Sequence, residues 1–391
     1  MRPYKIFLLL IALSIRLGGL GACTKARQDD QATPIRIAVY ESLTGNNAGG
    51  GQESLAGIEM AYATKSEVLG RKVELVRADL ASDPLAAGKL AKDLVDQKVN
   101  LVIGSASSAL SIAGAPTFAA AKIPVIITGS TSPLVTQASA YHFRLCFTDH
   151  IQGQAMASFV SDSLGISRAA IIKDMSSEYS VSLCQAFQQS FQSMHGAGSV
   201  ILQESYIGGG NPNFKDIIKK LQVKHPEVVF AGGEYKDCVR LVQALREAGY
   251  NGPILGGDTW DIEAFLDGVG MTNDLYFTAN FHPANASSEP GRLFLAACDK
   301  AAKEASSLTA LGYDAYLLAL DAIERAGSTD PQAIRNALAA TKDFPGATGP
   351  ISFDDKGDAT KPVVIDALHN GEVQFVTLIR KKAVPTYRPQ K

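Results

Sequence analysis

Net charge, tryptophan and long apolar runs are all scarce in this sequence. The 391 residues include 37 Lys and Arg against 39 Asp and Glu, which gives a formal net charge of −2. So close a balance provides no electrostatic footprint for nucleic acid or for an anionic membrane surface. One tryptophan and 7% aromatic residues argue against a platform that stacks sugars or bases. The sequence therefore predicts no nucleic-acid partner.

The motifs of common enzymes and metal sites are also missing. The six histidines show no H-E-x-x-H or other paired metal spacing, and the chain has no G-x-S-x-G or C-x-x-C. A glycine-rich loop predicted at residues 44–51 lacks the Gly-Lys-Ser/Thr ending of a phosphate-binding loop. We therefore predict no metal, no cofactor and no enzymatic activity. A catalytic triad assembled from distant residues is the alternative.

The chain does contain enough residues for two hydrophobic cores. Its composition, 46% hydrophobic and 19% charged, is ordinary for a soluble globular protein. A single core rarely grows to this length, so we expect two domains.

The first 23 residues belong to neither domain. Arg2 and Lys5 precede an apolar run at residues 6–15, which is too short to span a bilayer and is typical of an export signal. The residues Leu-Gly-Ala-Cys that follow resemble the lipobox of bacterial lipoproteins, in which the cysteine is acylated after cleavage. We predict a lipoprotein signal peptide at residues 1–23, acylation of Cys23 and a tether at residues 24–34. A plain secretory signal that leaves Cys23 free is the alternative.

Four cysteines remain beyond Cys23, at positions 146, 184, 238 and 298. An even number outside the cytoplasm permits disulfides, but a protein of this size does not need them. Disulfides and buried free thiols both stay open.

The sequence pattern is organised around residues 101–136. Apolar runs at 101–103 and 124–127 are typical of buried parallel strands, and each ends in a loop rich in serine and threonine. Ligands bind at the carboxyl ends of such strands, where helix N-termini offer unpaired N–H groups. The loops at 104–108 and 128–132 therefore predict a cradle for a small anionic group such as a carboxylate. Alternatively, these hydroxyls only cap helices and form turns.

Strand and helix patterns alternate in two series, one from residue 35 to 127 and one from 151 to 255. Such alternation predicts parallel sheets with right-handed crossovers. Extended segments at 141–147 and 276–281 interrupt the pattern. We predict that these segments cross between two doubly wound lobes.

Local signals predict where several elements begin or turn. Asp83-Pro84, Asn211-Pro212 and Asp330-Pro331 each combine a capping side chain with proline at the first helical position. After a strand at 351–353, Asn370-Gly371 between two apolar runs predicts a β-hairpin.

Two acidic residues follow predicted strands of the second series. Glu234 comes after the run 228–233, and Asp258 comes after Gly256 and Gly257. Acids at such places usually cap helices or face water. Opposite a carboxylate cradle, an acid can instead hold an ammonium group.

Six short stretches, in their order and spacing, carry a family resemblance. They are Leu-Thr-Gly at 43–45, Ala-Asp-Leu-Ala-Ser-Asp-Pro at 78–84, Leu-Val-Ile-Gly at 101–104, Thr-Gly-Ser-Thr-Ser-Pro at 128–133, Gly-Tyr-Asp-Ala at 312–315 and Gly-Pro-Ile-Ser-Phe-Asp at 349–354. From residue 35 to about 378, the chain resembles the periplasmic branched-chain amino-acid-binding proteins of ABC transporters.

The resemblance implies the type I periplasmic-binding fold, an α/β protein whose two doubly wound lobes are joined by three crossings. It places lobe 1 at residues 35–145 and 281–348, and lobe 2 at residues 146–280 and 349–391. The ligand is expected between the lobes.

The resemblance also assigns roles to residues of the first lobe. Ser108 matches a serine that bonds the ligand carboxylate. Thr131 matches a threonine whose N–H binds the carboxylate and whose hydroxyl binds the ammonium group. Gly129 matches the position whose carbonyl accepts from the ammonium group. Ser130 lies between these two residues and is included in the predicted site.

In the second lobe, Tyr179 matches a tyrosine that closes over the ligand. Asp258 matches the acid that pairs with the ammonium group, and it is one methylene shorter than the usual glutamate.

The chain departs from the family pattern around the ligand side chain. Gly50 lies where the family often has an aromatic wall, and Glu234 lies where tyrosine is common. Ser82 and Ser107 replace the cysteines of a disulfide found in some members. The lost bulk predicts a larger ligand and Glu234 a polar or cationic one, unless Tyr235 supplies the wall.

The resemblance implies an extracytoplasmic solute-binding protein that captures an amino acid, branched-chain or related, for an ABC importer. We expect it in the periplasm or at the cell surface, with ABC permease subunits as partners and the lipid anchor as its only membrane contact. The alternatives are a ligand sensor with the same fold and a binder of a non-amino carboxylic acid.

Overall fold

The computed structural model describes residues 33–137 and 139–380. The predicted signal peptide, Cys23 and residues 24–32 of the predicted tether lie outside the described residues.

The first sheet has the strand order β2-β3-β1-β4-β5-β6, and its strands are parallel except for the antiparallel pair β2 and β3. The strands are β1 (Ile35–Glu41), β2 (Glu67–Val68), β3 (Arg71–Asp79), β4 (Leu101–Ile103), β5 (Val125–Ile127) and β6 (His142–Arg144). The predicted buried strands in this half of the chain are therefore confirmed.

Helices cover both faces of this sheet. They are α1 (Ala48–Thr64), α2 (Pro84–Asp96), α3 (Ser108–Ala121) and α4 (Leu134–Gln137). Alternate residues of β1 enter different cores, since Ile37 and Val39 pack in one and Ala38 and Tyr40 in the other. Burial on both faces explains why these strands read as continuous apolar runs.

The second sheet has the order β15-β14-β11-β10-β9-β7-β8. Its strands are β7 (Ala169–Asp174), β8 (Val200–Tyr206), β9 (Val228–Gly232), β10 (Ile254–Gly256), β11 (Leu275–Ala279), β14 (Val363–His369) and β15 (Glu372–Ile379). It is parallel from β8 to β11, whereas β14 and β15 are antiparallel to their neighbours. Asn370 and Gly371 have φ of 53° and 80°, as a type I′ hairpin turn requires. The predicted hairpin is confirmed.

The second sheet carries α5 (Asp149–Asp162), α6 (Glu178–His195), α7 (Lys215–Lys224), α8 (Tyr235–Glu247) and α9 (Glu263–Val269). The chain then returns to the first sheet with α10 (Glu289–Ala301), α11 (Ser307–Ala326), α12 (Pro331–Ala339) and a small ladder of β12 (Phe344–Gly346) and β13 (Gly349–Ile351). It thus passes between the sheets three times, after β6, β11 and β13.

The segments predicted to cross are shorter than expected. Residues 142–144 form β6 at the edge of the first sheet, and residues 275–279 form β11 inside the second. Extended backbone next to a sheet satisfies its N–H and C=O groups by joining the ladder. The strand predicted at 351–353 is also displaced, to 349–351.

Two local predictions are corrected and two are confirmed. Helix α1 begins at Ala48, so Gly49 to Gly51 are helical and not part of a loop. Asn211-Pro212 does not begin a helix, because Asn211 has a left-handed φ of 62° and a capping residue needs extended backbone. Asp83 does cap α2, accepting from the N–H of Leu85 at 2.8 Å. Asp330 caps α12 in the same way.

Candidate ligand-binding site between the two sheets

A polar cavity lies where the carboxyl ends of the two sheets face each other. It encloses about 50 Å³, well below the several hundred Å³ of typical ligand pockets. Hydrogen bonds bridge the two sides beside it, from Glu263 N–H to Glu53 Oε1 at 3.0 Å and from Lys236 Nζ to the Gly45 carbonyl at 3.4 Å. The two sides are therefore drawn together in this structure.

Five of the seven predicted site residues line this cavity. They are Ser108, Gly129, Tyr179, Glu234 and Asp258. They are far apart in the sequence, but each follows or faces the carboxyl end of a strand, which is where α/β sheets bind ligands.

Ser130 and Thr131 lie behind the cavity wall. The Ser130 hydroxyl donates to the Ser105 carbonyl at 2.7 Å and pairs with the Ser111 hydroxyl at 2.7 Å, which ties the two loops together. Thr131 Oγ1 is buried without a hydrogen-bond partner among the described residues. Its predicted bond to a ligand stays a prediction.

The first-sheet side of the cavity is a helix N-terminus. Ser107 precedes α3 but makes no capping bond with its side chain. The Ser108 hydroxyl oxygen accepts from the Ser132 N–H at 3.2 Å, which leaves its own O–H to donate. Unpaired N–H groups and a hydroxyl donor together suit a carboxylate.

The second-sheet side presents Asp258. The Tyr179 hydroxyl donates to Asp258 Oδ1 at 2.9 Å. Burial raises the pKa of Asp258 to about 6. The carboxylate is therefore held in position, and a cation that replaced its lost hydration would stabilise the ionised form.

A network behind Asp258 includes residues that sequence reasoning missed. Gln152 Nε2 donates to Asp149 Oδ1 at 2.9 Å, and Gln152 Oε1 accepts from Thr278 at 2.7 Å and from the Asp258 N–H at 3.4 Å. Asp149 is fully buried, and burial raises its pKa to about 7. The only sequence signal for Asp149 and Gln152 is their place at the start of α5.

Glu234 occupies the N-cap position of α8, but its side chain makes no capping hydrogen bond. Its Oε1 accepts from the Ser177 hydroxyl at 3.1 Å. Burial raises the pKa of Glu234 to about 7. Tyr235, the next residue, lines the cavity, which supports the alternative that it supplies a wall.

The space that an aromatic side chain at position 50 would occupy is filled by another residue. A Cβ atom at Gly50 would lie 2.9 Å from Leu308 Cδ1, and one at Gly129 would lie 2.5 Å from Leu308 Cδ2. Leu308 therefore fills the volume from which we predicted a larger ligand. The sequence gives no sign of this, since Leu308 follows the second crossing and is remote in sequence from both glycines.

Glu41 joins the loops of the first sheet from beneath the cavity. It is fully buried and accepts from the Ser54 hydroxyl at 2.7 Å, the Thr128 hydroxyl at 2.9 Å and the Ala106 N–H at 2.8 Å. Burial raises the pKa of Glu41 to about 7. Because its oxygens are occupied by these loops, we assign Glu41 to the support of the site.

Metal-ligating clusters and disulfides were both open questions for the described residues. No group of three His, Cys, Asp or Glu side chains in residues 33–137 and 139–380 is placed to share a metal ion. Cys146, Cys184, Cys238 and Cys298 are buried free thiols, which decides between disulfides and free thiols. Over the same residues, no helix combines the length and apolar character needed to cross a membrane.

Two largely parallel sheets with a polar cavity between their carboxyl ends define a two-lobed binding protein. The profile of the family described as "Periplasmic binding protein" matches residues 34–367. The chain belongs to this family, as the sequence resemblance predicted.

Relatives and solved structures agree with this assignment. The Leu/Ile/Val-binding protein homolog 2 of Brucella abortus is 26% identical over 345 residues, covering 86% of this chain and 91% of the relative. The crystal structure of the leucine-binding protein LivK from Thermotoga maritima has a TM-score of 0.85 and 35% identity, covering 89% of this chain and 99% of that one. LivJ from Streptococcus pneumoniae, solved with isoleucine, has a TM-score of 0.83, 26% identity and the same coverage. The predicted type I periplasmic-binding fold is confirmed.

Proposed function

We propose that this protein binds an α-amino acid outside the cytoplasm and delivers it to an ABC importer. The observation that carries the proposal is one cavity in which the N-terminus of α3 with Ser108 lies on one side and the Tyr179–Asp258 pair on the other. A carboxylate fits the first side and an ammonium group fits the second. The leucine- and isoleucine-binding relatives support the same ligand class.

The ligand enters when the lobes separate. We propose lobe 1 at residues 35–145 and 281–348 and lobe 2 at 146–280 and 349–391. Closure around the ligand removes water from its two charges, so each hydrogen-bonded charge pair contributes more than on an open surface. In this role Gly129, which lines the cavity, supplies a carbonyl to the ammonium group, as the family resemblance implies.

The closed form is the species that a permease recognises, because the ligand shifts the population toward it. The protein releases its ligand unchanged and acts as no enzyme. A sensor that passes the same closure to a signalling partner is the alternative role.

Calorimetry with a matched ligand pair tests the proposed ligand class. L-Leucine and its deaminated analogue 4-methylpentanoate differ at the group that Asp258 is proposed to hold. We expect the wild-type protein to bind the amino acid far more tightly than the deaminated acid. Equal binding of the two would overturn the proposal and favour the non-amino carboxylic acid alternative. If the protein does not bind leucine, the same comparison is made with other α-amino acids and their deaminated analogues, and equal binding within every pair overturns the proposal.

We propose that Cys23 carries a lipid and is the only membrane attachment. The substitution Cys23→Ser is expected to release the protein from the membrane fraction, because serine lacks the thiol that is acylated. Mass spectrometry of the wild-type N-terminus checks the modification. A wild-type protein that is already released, or that begins at another residue, contradicts the proposal.

A further inference from the structure

A second cavity adjoins the proposed amino-acid site. It is partly open to solvent, has a volume of about 410 Å³, and shares Asn47, Ser107 and Glu234 with the smaller cavity. The smaller cavity, at about 50 Å³, holds only the main-chain end of an amino acid. The larger one is therefore the adjoining space available to a side chain.

Glu234 lies at the junction, and of the described residues in the second lobe it alone lines both cavities. Among the described residues, its carboxylate accepts one hydrogen bond, from the Ser177 hydroxyl at 3.1 Å. Among the described residues, no Lys, Arg or His nitrogen lies within ion-pair distance of its carboxylate.

The other two acids of the larger cavity are engaged with their own loop. Asp174 Oδ1 accepts from the N–H groups of Ser176 and Gly208 at 2.8 and 2.9 Å. Asp237 accepts from the Gly209 N–H at 2.8 Å and pairs with Arg240 at 3.5 Å. Two cations also line this cavity, but Lys236 donates to the Gly45 carbonyl and Arg240 pairs with Asp237. Glu234 is thus the charged group left for a ligand.

We propose that Glu234 selects a ligand whose side chain ends in a cation, so that the amino acid is a basic one. This inference rests on the proposed function, because it places the α-amino and α-carboxylate groups at Asp258 and Ser108. A neutral apolar side chain would bury the Glu234 carboxylate with only the Ser177 hydroxyl and no counter-charge, which is unfavourable. A distal ammonium or guanidinium group would pair with it after closure has removed water.

L-Lysine and L-norleucine are the probes, since they differ only by the distal ammonium group. We expect the wild-type protein to bind lysine at least about 30-fold more tightly than norleucine in calorimetry. Glu234→Gln keeps the shape and removes the charge, so it is expected to abolish this preference while keeping its affinity for norleucine. Glu247→Gln, at the exposed end of the same helix α8, is the matched control and should behave as wild type.

Norleucine binding by Glu234→Gln shows that the variant is folded. The inference is overturned if the wild type binds norleucine as tightly as lysine, or if Glu234→Gln keeps the preference. 6-Aminohexanoate, which has the distal cation but no α-amino group, separates the two proposals. If it binds as tightly as lysine, the α-amino site at Asp258 fails while the role of Glu234 stands.

Discussion

Replacing Asp258 with alanine is expected to weaken the binding of α-amino acids by several hundred- to several thousand-fold. Closure strips water from the ligand ammonium group, and the variant leaves that charge without its partner. Removing one member of such a buried pair costs about 3–5 kcal/mol, which corresponds to this loss in affinity. Isothermal calorimetry with the preferred amino acid measures it directly.

Asp216→Ala is the matched control for the loss of an aspartate. Its side chain is 88% exposed on α7, so its removal should leave the affinity unchanged. Deaminated ligands give a second comparison, because Asp258→Ala should bind them no worse than the wild type does. If Asp258→Ala retains full affinity for amino acids, the Tyr179–Asp258 pair is only structural.

The same interaction has a pH signature. Because burial raises the pKa of Asp258 to about 6, the ionised form that pairs with an ammonium group is lost as the pH falls through that value. Asp149 and Tyr179 face Asp258, and burial raises the pKa of Asp149 to about 7. As the pH falls, Asp149 is therefore protonated before Asp258. Wild-type affinity should fall by up to tenfold per pH unit below about 6, and Asp258→Asn should lack this dependence.

The sheets were predictable because their strands are buried on both faces. Continuous apolar runs such as 101–103 and 124–127 are typical of strands covered by helices on each side, and Asn370-Gly371 is specific for a tight hairpin. The failures have local causes. Asn211-Pro212 resembles a helix start until the left-handed backbone of Asn211 is known. Gly49 to Gly51 read as a loop, yet they lie in α1, where a side chain at Gly51 would collide with the Ser42 carbonyl.

The candidate site was predictable only where residues follow strands. Ser108, Gly129 and Asp258 stand just after strands, so strand order alone brings them to one edge. Gln152 lies on α5, which begins just after the first crossing, and Leu308 lies on α11, which follows the second crossing after α10. No periodicity in the sequence records how these two helices pack. A position after a strand is not sufficient, because Ser130 and Thr131 follow β5 but lie behind the cavity wall.

Replacing Asp358 with alanine is expected to destabilise the protein by about 3–5 kcal/mol. Asp358 pairs with Arg144, whose Nε lies 2.9 Å from Asp358 Oδ1 and whose side chain is fully buried. Arg144 cannot lose its proton, so the variant leaves a buried cation without its counter-charge. Thr136 donates to Asp358 at 3.0 Å and accepts from Arg144 at 2.9 Å, which leaves little room for relaxation. Urea unfolding followed by circular dichroism measures the loss.

Asp321→Ala is the control, since Asp321 also pairs with an arginine, Arg325, at 2.8 Å, but both side chains are 36% exposed. A pair of this kind on a helix contributes only about 0.3–0.5 kcal/mol. The double variant Arg144→Met with Asp358→Ala should recover much of the lost stability, because it removes the buried charge as well as its partner. If Asp358→Ala and Asp321→Ala lower the free energy of unfolding equally, the Arg144 guanidinium is hydrated by water once Asp358 is removed. The contact between the third crossing and β6 would then depend on backbone hydrogen bonds and not on the ion pair. The Arg144 N–H donates to the Gly357 carbonyl at 2.7 Å, and the Ala359 N–H donates to the Arg144 carbonyl at 3.0 Å.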